Sequence, residues 1–189
     1  MERSYIEDKT FDKTDFTTIA LAKADYENCI FTNSNFSNAD LGSINFIDCT
    51  FTGCNLSMAR LNKTAFRDIQ FKECKLLGLH FFNCSNLFSA GFENCMLNLS
   101  SFYKTNLKKA SFKNCTMHEV DFTETDLSGA LFHNCDLANT TFDDTILEKA
   151  DFRSSFNYTF NPEKNRIKKA MFSLPGVVGL LGKYDILVE

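Results

Sequence analysis

Eight cysteines and three histidines are the residues of this 189-residue chain that could support metal or redox chemistry. The cysteines stand at 29, 49, 54, 74, 84, 95, 115 and 135, and no two form a C-x-x-C pair. Thiolate metal sites and redox pairs use such short spacings. Here four of the seven gaps are twenty residues long, which marks a structural repeat rather than a ligand set. Carboxylates offer a second chemistry. Residues 114–148 hold eight acids and no Lys or Arg, a density that could attract a cationic surface.

No catalytic arrangement accompanies them. The chain has no Gly-rich phosphate loop and no nucleophile elbow, and no His lies within obvious reach of an inward nucleophile. A non-enzymatic protein without metal or cofactor is expected.

What positions these residues is a five-residue period. A large apolar side chain returns at Phe92, Leu97, Phe102, Leu107, Phe112, Met117, Phe122, Leu127, Phe132, Leu137, Phe142, Leu147 and Phe152. Two positions before each sits a smaller residue, such as Cys95, Ala110, Cys115, Ala130 or Cys135. Five is neither the 3.6 of a helix nor the 2.0 of a strand, so the chain is a repeat structure. A period of twenty overlies it: Ala90, Ala110, Ala130 and Ala150, and likewise Cys95, Cys115 and Cys135. Four pentads therefore close one square coil, with two of every five side chains pointing inward. Phe92, Phe102, Phe112, Phe122, Phe132, Phe142 and Phe152 form the core with those three cysteines. Stacked cysteines have parallel Cβ directions that disfavour a disulfide, so they are read as reduced thiols filling space. His133 points out where Cys135 points in, which speaks against a shared metal.

The runs Ala39-Asp40-Leu41, Cys54-Asn55-Leu56, Thr125-Asp126-Leu127 and Ala150-Asp151-Phe152 resemble the signature of the pentapeptide-repeat proteins. That resemblance implies an all-β fold, a right-handed quadrilateral β-helix, here of about seven coils with a short C-terminal capping helix. The Qnr and MfpA quinolone-resistance group of that family is similar in plan. The resemblance to it implies an acidic, DNA-like rod that binds DNA gyrase or topoisomerase IV, and a homodimer formed through the apolar C-terminal helix.

In chain order, the β-helix is assigned to residues 1–172, with 1–10 as its N-terminal edge. The step from Phe81 to Leu87 is six, which places a one-residue insertion near Cys84-Ser85-Asn86, a bulge at a corner. Residues 153–166 leave the pattern, with Asn161 as an N-cap ahead of Pro162, and Ala170 and Phe172 resume it. Residues 173–189 are assigned to the cap. A helix is expected from Ser173 through about Gly182, with Leu174, Val177, Val178, Leu180 and Leu181 as its apolar face, and then a strand over 185–188.

The charged N-terminus lacks the apolar run of a secretory signal, and no stretch is long enough to span a membrane, so a cytoplasmic protein is expected. The net charge of −4 gives no basic patch for direct nucleic-acid binding. It is unevenly spread: −4 over residues 24–59, +6 over 60–113, −8 over 114–148 and +3 over 149–189. Glu119, Glu124, Asp143, Asp144 and Glu148 are the candidate partner-binding acids, Glu124 and Asp144 being twenty apart. Asp121, Asp126, Asp136 and Asp151 precede inward residues and are read instead as turn formers. Two functions remain open: a DNA mimic directed at gyrase or topoisomerase IV, and an interaction scaffold for another protein. A continuous acidic stripe favours the first and an isolated patch the second.

Overall fold

The computed structural model describes residues 4–85, 88–184 and 186–187. The chain winds as a parallel β-solenoid. Strands repeat at twenty-residue intervals and pair in register with the coil above, as in Phe31↔Phe51 and Phe51↔Phe71. Between the strands, single parallel bridges such as Asn35↔Asn55 and Asp121↔Thr141 continue the ladder.

The central residues of the pentads line four inner faces. The first carries Tyr26, Phe46, Phe66, Leu107, Leu127 and Leu147, all buried. The second is a column of phenylalanines alone. From Phe11 the rings stack on Phe31, Phe51, Phe71, Phe92, Phe112, Phe132 and Phe152, and an eighth step adds Phe172. Centroid separations of 4.6–5.5 Å from Phe31 to Phe152 track the spacing of β-paired coils, about 4.8 Å. Phe36, Leu56, Leu76, Leu97, Met117 and Leu137 fill the third face, and Leu41, Leu61, Phe81, Phe102, Phe122 and Phe142 the fourth. Rings on adjacent faces meet edge to face, Phe112 and Phe122 at 6.0 Å and 73°, a favoured aromatic arrangement.

Most corners turn through a residue at positive φ, and most of those residues are not glycine: Asn28 (51°), Met58 (58°), Asn114 (52°), Glu124 (55°), Lys149 (61°). L-residues enter this region at a cost. The stacked coils offset it, because the corner N–H reaches a carbonyl one coil on, as in Asn114 to His133 at 2.8 Å. Asparagine adds a side-chain ladder: Asn134 donates to Asn114, and Asn114 to Asn94, each at 3.0 Å.

The insertion falls where the six-residue step places it. Phe81–Asn83 forms a 3-10 turn, and the register slips between Phe66↔Phe88 and Ile69↔Ala90. Asn86 and Leu87 lie outside the described residues, and Phe88 packs against Phe66, Phe81 and Phe102.

The excursion at 153–166 also returns to the core. Asn157 and Pro162 hold the register positions, and Tyr158 and Phe160 turn inward beside them, at 3% and 7% exposure. Asn161 caps the 3-10 turn Pro162–Lys164 by accepting from the Glu163 N–H at 3.0 Å.

The C-terminal cap departs from expectation. The short helix is present, but it ends earlier than Gly182: a single α-turn, Leu174–Val177, is followed by 3-10 turns Val178–Leu180 and Gly182–Tyr184. Three glycines explain the difference, since a Cβ at Gly176 or Gly179 would collide with Tyr158 and one at Gly182 would crowd Thr159. The chain hugs the excursion instead of forming an independent helix. Only Leu180 of the expected apolar face is buried; Leu181 is half-buried, and Leu174, Val177 and Val178 are at the surface. No strand forms at Ile186 and Leu187, and the rest of that expectation, Asp185 and Val188, lies outside the described residues.

Candidate functional surface

Outward side chains sit on the four faces and corners, so residues twenty apart share a column. The candidate acids do not all share one. Glu124, Asp143 and Asp144 meet at the corner that ends the fourth face, tied by the Glu124 N–H to the Asp143 carbonyl at 2.9 Å. Glu119 occupies the preceding corner, its N–H on Ala138 O, and Glu148 lies on the first face. The three central acids therefore form one patch, and the other two flank it at a distance around the rod.

Lysines bracket that patch. Lys104, one coil before, reaches Glu124 at 3.3 Å and lies 4.8 Å from the centre of the Tyr103 ring, whose hydroxyl donates to Glu124 at 3.1 Å. Tyr103, and then the Glu124 carboxylate, hold the Lys104 ammonium above its usual pKa. Lys164, one coil after, reaches Asp143 at 3.2 Å. Asp144 is exposed and has no ion-pair partner among the described residues. Glu148 pairs with Arg166 at 2.6 Å. The −8 segment is thus partly neutralised by the positive segments on either side, through contacts one coil apart.

The aspartates assigned to turns do that work. Asp121, Asp126, Asp136 and Asp151 each accept from the N–H two residues on, at 2.9, 3.0, 3.3 and 3.0 Å. Asp136 has a further role that a two-residue reading does not reveal, accepting from His118 at 2.8 Å and Asn157 at 2.8 Å. Burial opposes its ionisation, but those two partners outweigh it and its pKa lies below the usual carboxylate value. The signal is the eighteen-residue spacing, which sets one residue just after an inward position against one just before it on the next coil.

The thiols are part of the wall. Cys54, Cys74, Cys95, Cys115 and Cys135 form one column, and the Sγ of each donates to a phenylalanine carbonyl one coil back, at 3.4–3.6 Å. Only Cys84 is half-buried. Burial pushes Cys49 up to about 12. Ser100, Thr125 and Thr140 take the same inward position and donate to the corresponding carbonyls at 2.6–2.7 Å. Hydroxyl and thiol therefore play one structural part. Among the described residues no three His, Cys, Asp or Glu side chains converge as a metal site.

An all-parallel coil with a packed aromatic interior and a surface of short ion pairs defines a repeat scaffold. The chain belongs to the pentapeptide-repeat family: its pentapeptide repeat region matches over residues 19–86 and 85–157. No curated protein sequence matches. Among solved structures, the chain is similar to HetL, a pentapeptide repeat protein involved in heterocyst differentiation regulation from the cyanobacterium Nostoc sp. strain PCC 7120. That likeness has a TM-score of 0.70 at 15% identity over 91% of this chain and 87% of that one. It is similar also to a trypsin-treated variant of QnrB1, a plasmid-mediated fluoroquinolone resistance protein, with a TM-score of 0.52 at 17% identity and 100% of both chains covered. At these identities the likeness shows the fold. Among the described residues no helix is long and apolar enough to cross a membrane.

Proposed function

We propose that this chain is a non-enzymatic, cytoplasmic rod that binds a protein partner through the corner formed by Glu124, Asp143 and Asp144. The observation that carries the reading is the bracketing of this patch by Lys104 and Lys164. A short run of carboxylates closed off by cations is a local recognition feature, suited to a partner with a basic centre and acidic flanks. The solenoid supplies a rigid support for it.

A DNA mimic for gyrase or topoisomerase IV is the second reading, and the full-length likeness to QnrB1 favours it. Mimicry of a phosphate backbone calls for negative charge along the whole rod, and the lysines interrupt it here. Inhibition of gyrase supercoiling by the purified protein, at two salt concentrations and with and without a quinolone, separates the two. The scaffold reading expects no inhibition up to high micromolar protein. Salt-sensitive inhibition that disappears in a Glu124→Ala, Asp143→Ala, Asp144→Ala variant would replace it with the mimic.

A further inference from the structure

The corner between the first and second faces has a polarity that the charge count along the chain hides. In its N-terminal half it carries Asp8, Asn28, Asp48 and Asp68; in its C-terminal half, Lys109, Gly129, Lys149 and Lys169. Each of these eight residues has positive φ. The column is continuous because corner N–H groups reach the next coil, Asp48 to Arg67 O at 2.9 Å and Lys149 to Lys168 O at 3.0 Å. All eight residues are exposed. Its midpoint is Ser89, beside the insertion, which accepts from the Asp68 N–H at 2.8 Å and donates to the Asp68 carboxylate at 3.0 Å.

Reflection through Ser89 sets opposite charges against each other. One step out lie Asp68 and Lys109, and four steps out Asp8 and Lys169. Two steps out, Asp48 faces the bare Gly129; three steps out, Lys149 faces the neutral Asn28. No position meets its own sign. Asp8, Asp48, Lys109, Lys149 and Lys169 have no ion-pair partner among the described residues. On the same face both nearby acids are already engaged, Asp126 by Lys108 at 3.2 Å and Glu148 by Arg166. Lys149 and Lys169 stand one coil apart and repel each other.

We propose that two copies of this chain associate side by side and antiparallel along this corner, about a two-fold axis at Ser89. A two-fold contact must be self-complementary, and this corner is. Each ion pair then occurs twice, and the charges fix register and direction more than they add affinity. The association weakens with salt, because exposed charges are screened.

The test combines X-ray scattering with sedimentation of the full chain at 25 mM and 500 mM salt. A side-by-side pair keeps the length of one rod, about 38 Å for eight steps of about 4.8 Å. A pair joined through the C-terminal cap doubles it. The expected result is a dimer of single-rod length at low salt, with at least tenfold weaker association at high salt. Asp8→Lys with Asp68→Lys, and Lys109→Glu with Lys169→Glu, each lose the dimer, and mixing the two folded variants restores it at least tenfold. Circular dichroism establishes that both variants fold, and Asp8→Lys alone against Lys169→Glu alone, which face each other across the two-fold axis, repeats the exchange should Asp68→Lys unfold. A chain monomeric at both salts, a dimer of double length, or a dimer unmoved by charge reversal would overturn the proposal. So would a monomer that instead binds heparin through Lys109, Lys149 and Lys169, which would assign the basic half to a foreign polyanion.

Discussion

Tyr158 and Gly179 lock together the two irregular segments at the C-terminal end of this rod. The Phe160 N–H donates to the Gly179 carbonyl at 3.3 Å, and the Tyr158 carbonyl occupies the space that a Cβ on Gly179 would need. The clash is with backbone, so a rotamer change cannot relieve it. Gly179→Ala is expected to lower stability by about 1–3 kcal/mol, the usual range for overpacking, and to expose Tyr158. Urea unfolding followed by tyrosine fluorescence checks this. An unchanged midpoint would mean that the cap does not bear on the excursion.

The phenylalanine column should carry more stability than the exposed cap. Phe112 is fully buried, stacked 5.1 Å from both Phe92 and Phe132. Phe112→Ala leaves a ring-sized void and is expected to cost about 3–5 kcal/mol. Leu174 is 91% exposed, and Leu174→Ala should change stability by less than about 0.5 kcal/mol. Equal effects in thermal melts would contradict this assignment of the core.

Alkaline pH should unfold the rod. The Cys49 thiol is raised from 9.0 to about 12 by burial, and the Tyr26 hydroxyl from 10.0 to about 12 for the same reason. The unfolded chain loses these protons first, so their contribution is intact below pH 9 and declines as the pH rises toward 12. Stability measured from pH 8 to 11 should fall, and Cys49→Ala should flatten part of the slope. Thiol titration of the native protein near neutral pH should register Cys84 ahead of the buried seven.

The turn aspartates should tolerate amide replacement. The Ser128 N–H and hydroxyl donate to Asp126 at 3.0 and 2.6 Å, and Asn106 holds the equivalent bond to Lys108 N–H at 3.2 Å. Asp126→Ala is expected to cost about 1 kcal/mol, an ordinary hydrogen bond, and Asp126→Asn less than half of that. Burial raises the Asp126 pKa, but the bonds from Ser128 outweigh it and leave it below 3.8. Its contribution is therefore present above about pH 4 and lost on acidification. A chemical denaturation series from pH 6 to pH 2.5 reads this directly, and Asp126→Asn should lose the pH-dependent part.

The parts of this fold that were legible in the sequence obey one rule, a large apolar residue every fifth position. It identified the core, the cysteine column and the insertion near Cys84. Tyr158 and Phe160 escaped it because Asn157 and Pro162 occupy the register positions. The capping helix is legible but its length is not, because Leu174, Val177, Val178, Leu180 and Leu181 suit a longer one, while Gly176, Gly179 and Gly182 have their reason only in the neighbouring Tyr158 and Thr159. The charged surface was legible in part. Lys104 with Glu124 obeys the twenty-residue step, and Asp143 with Lys164 comes within one residue of it. Charge summed along consecutive residues separates such partners, because they lie on successive coils.

The Glu124, Asp143 and Asp144 corner is the proposed seat of a protein partner. A photo-crosslinking residue at Thr123, beside that corner, compared with one at Thr32 on the second face, tests it most directly in cell extract. The expected result is one partner captured from Thr123 alone, and its loss when Glu124, Asp143 and Asp144 are all changed to Ala. Capture of the same proteins from both positions, or capture unaffected by that triple change, would contradict it.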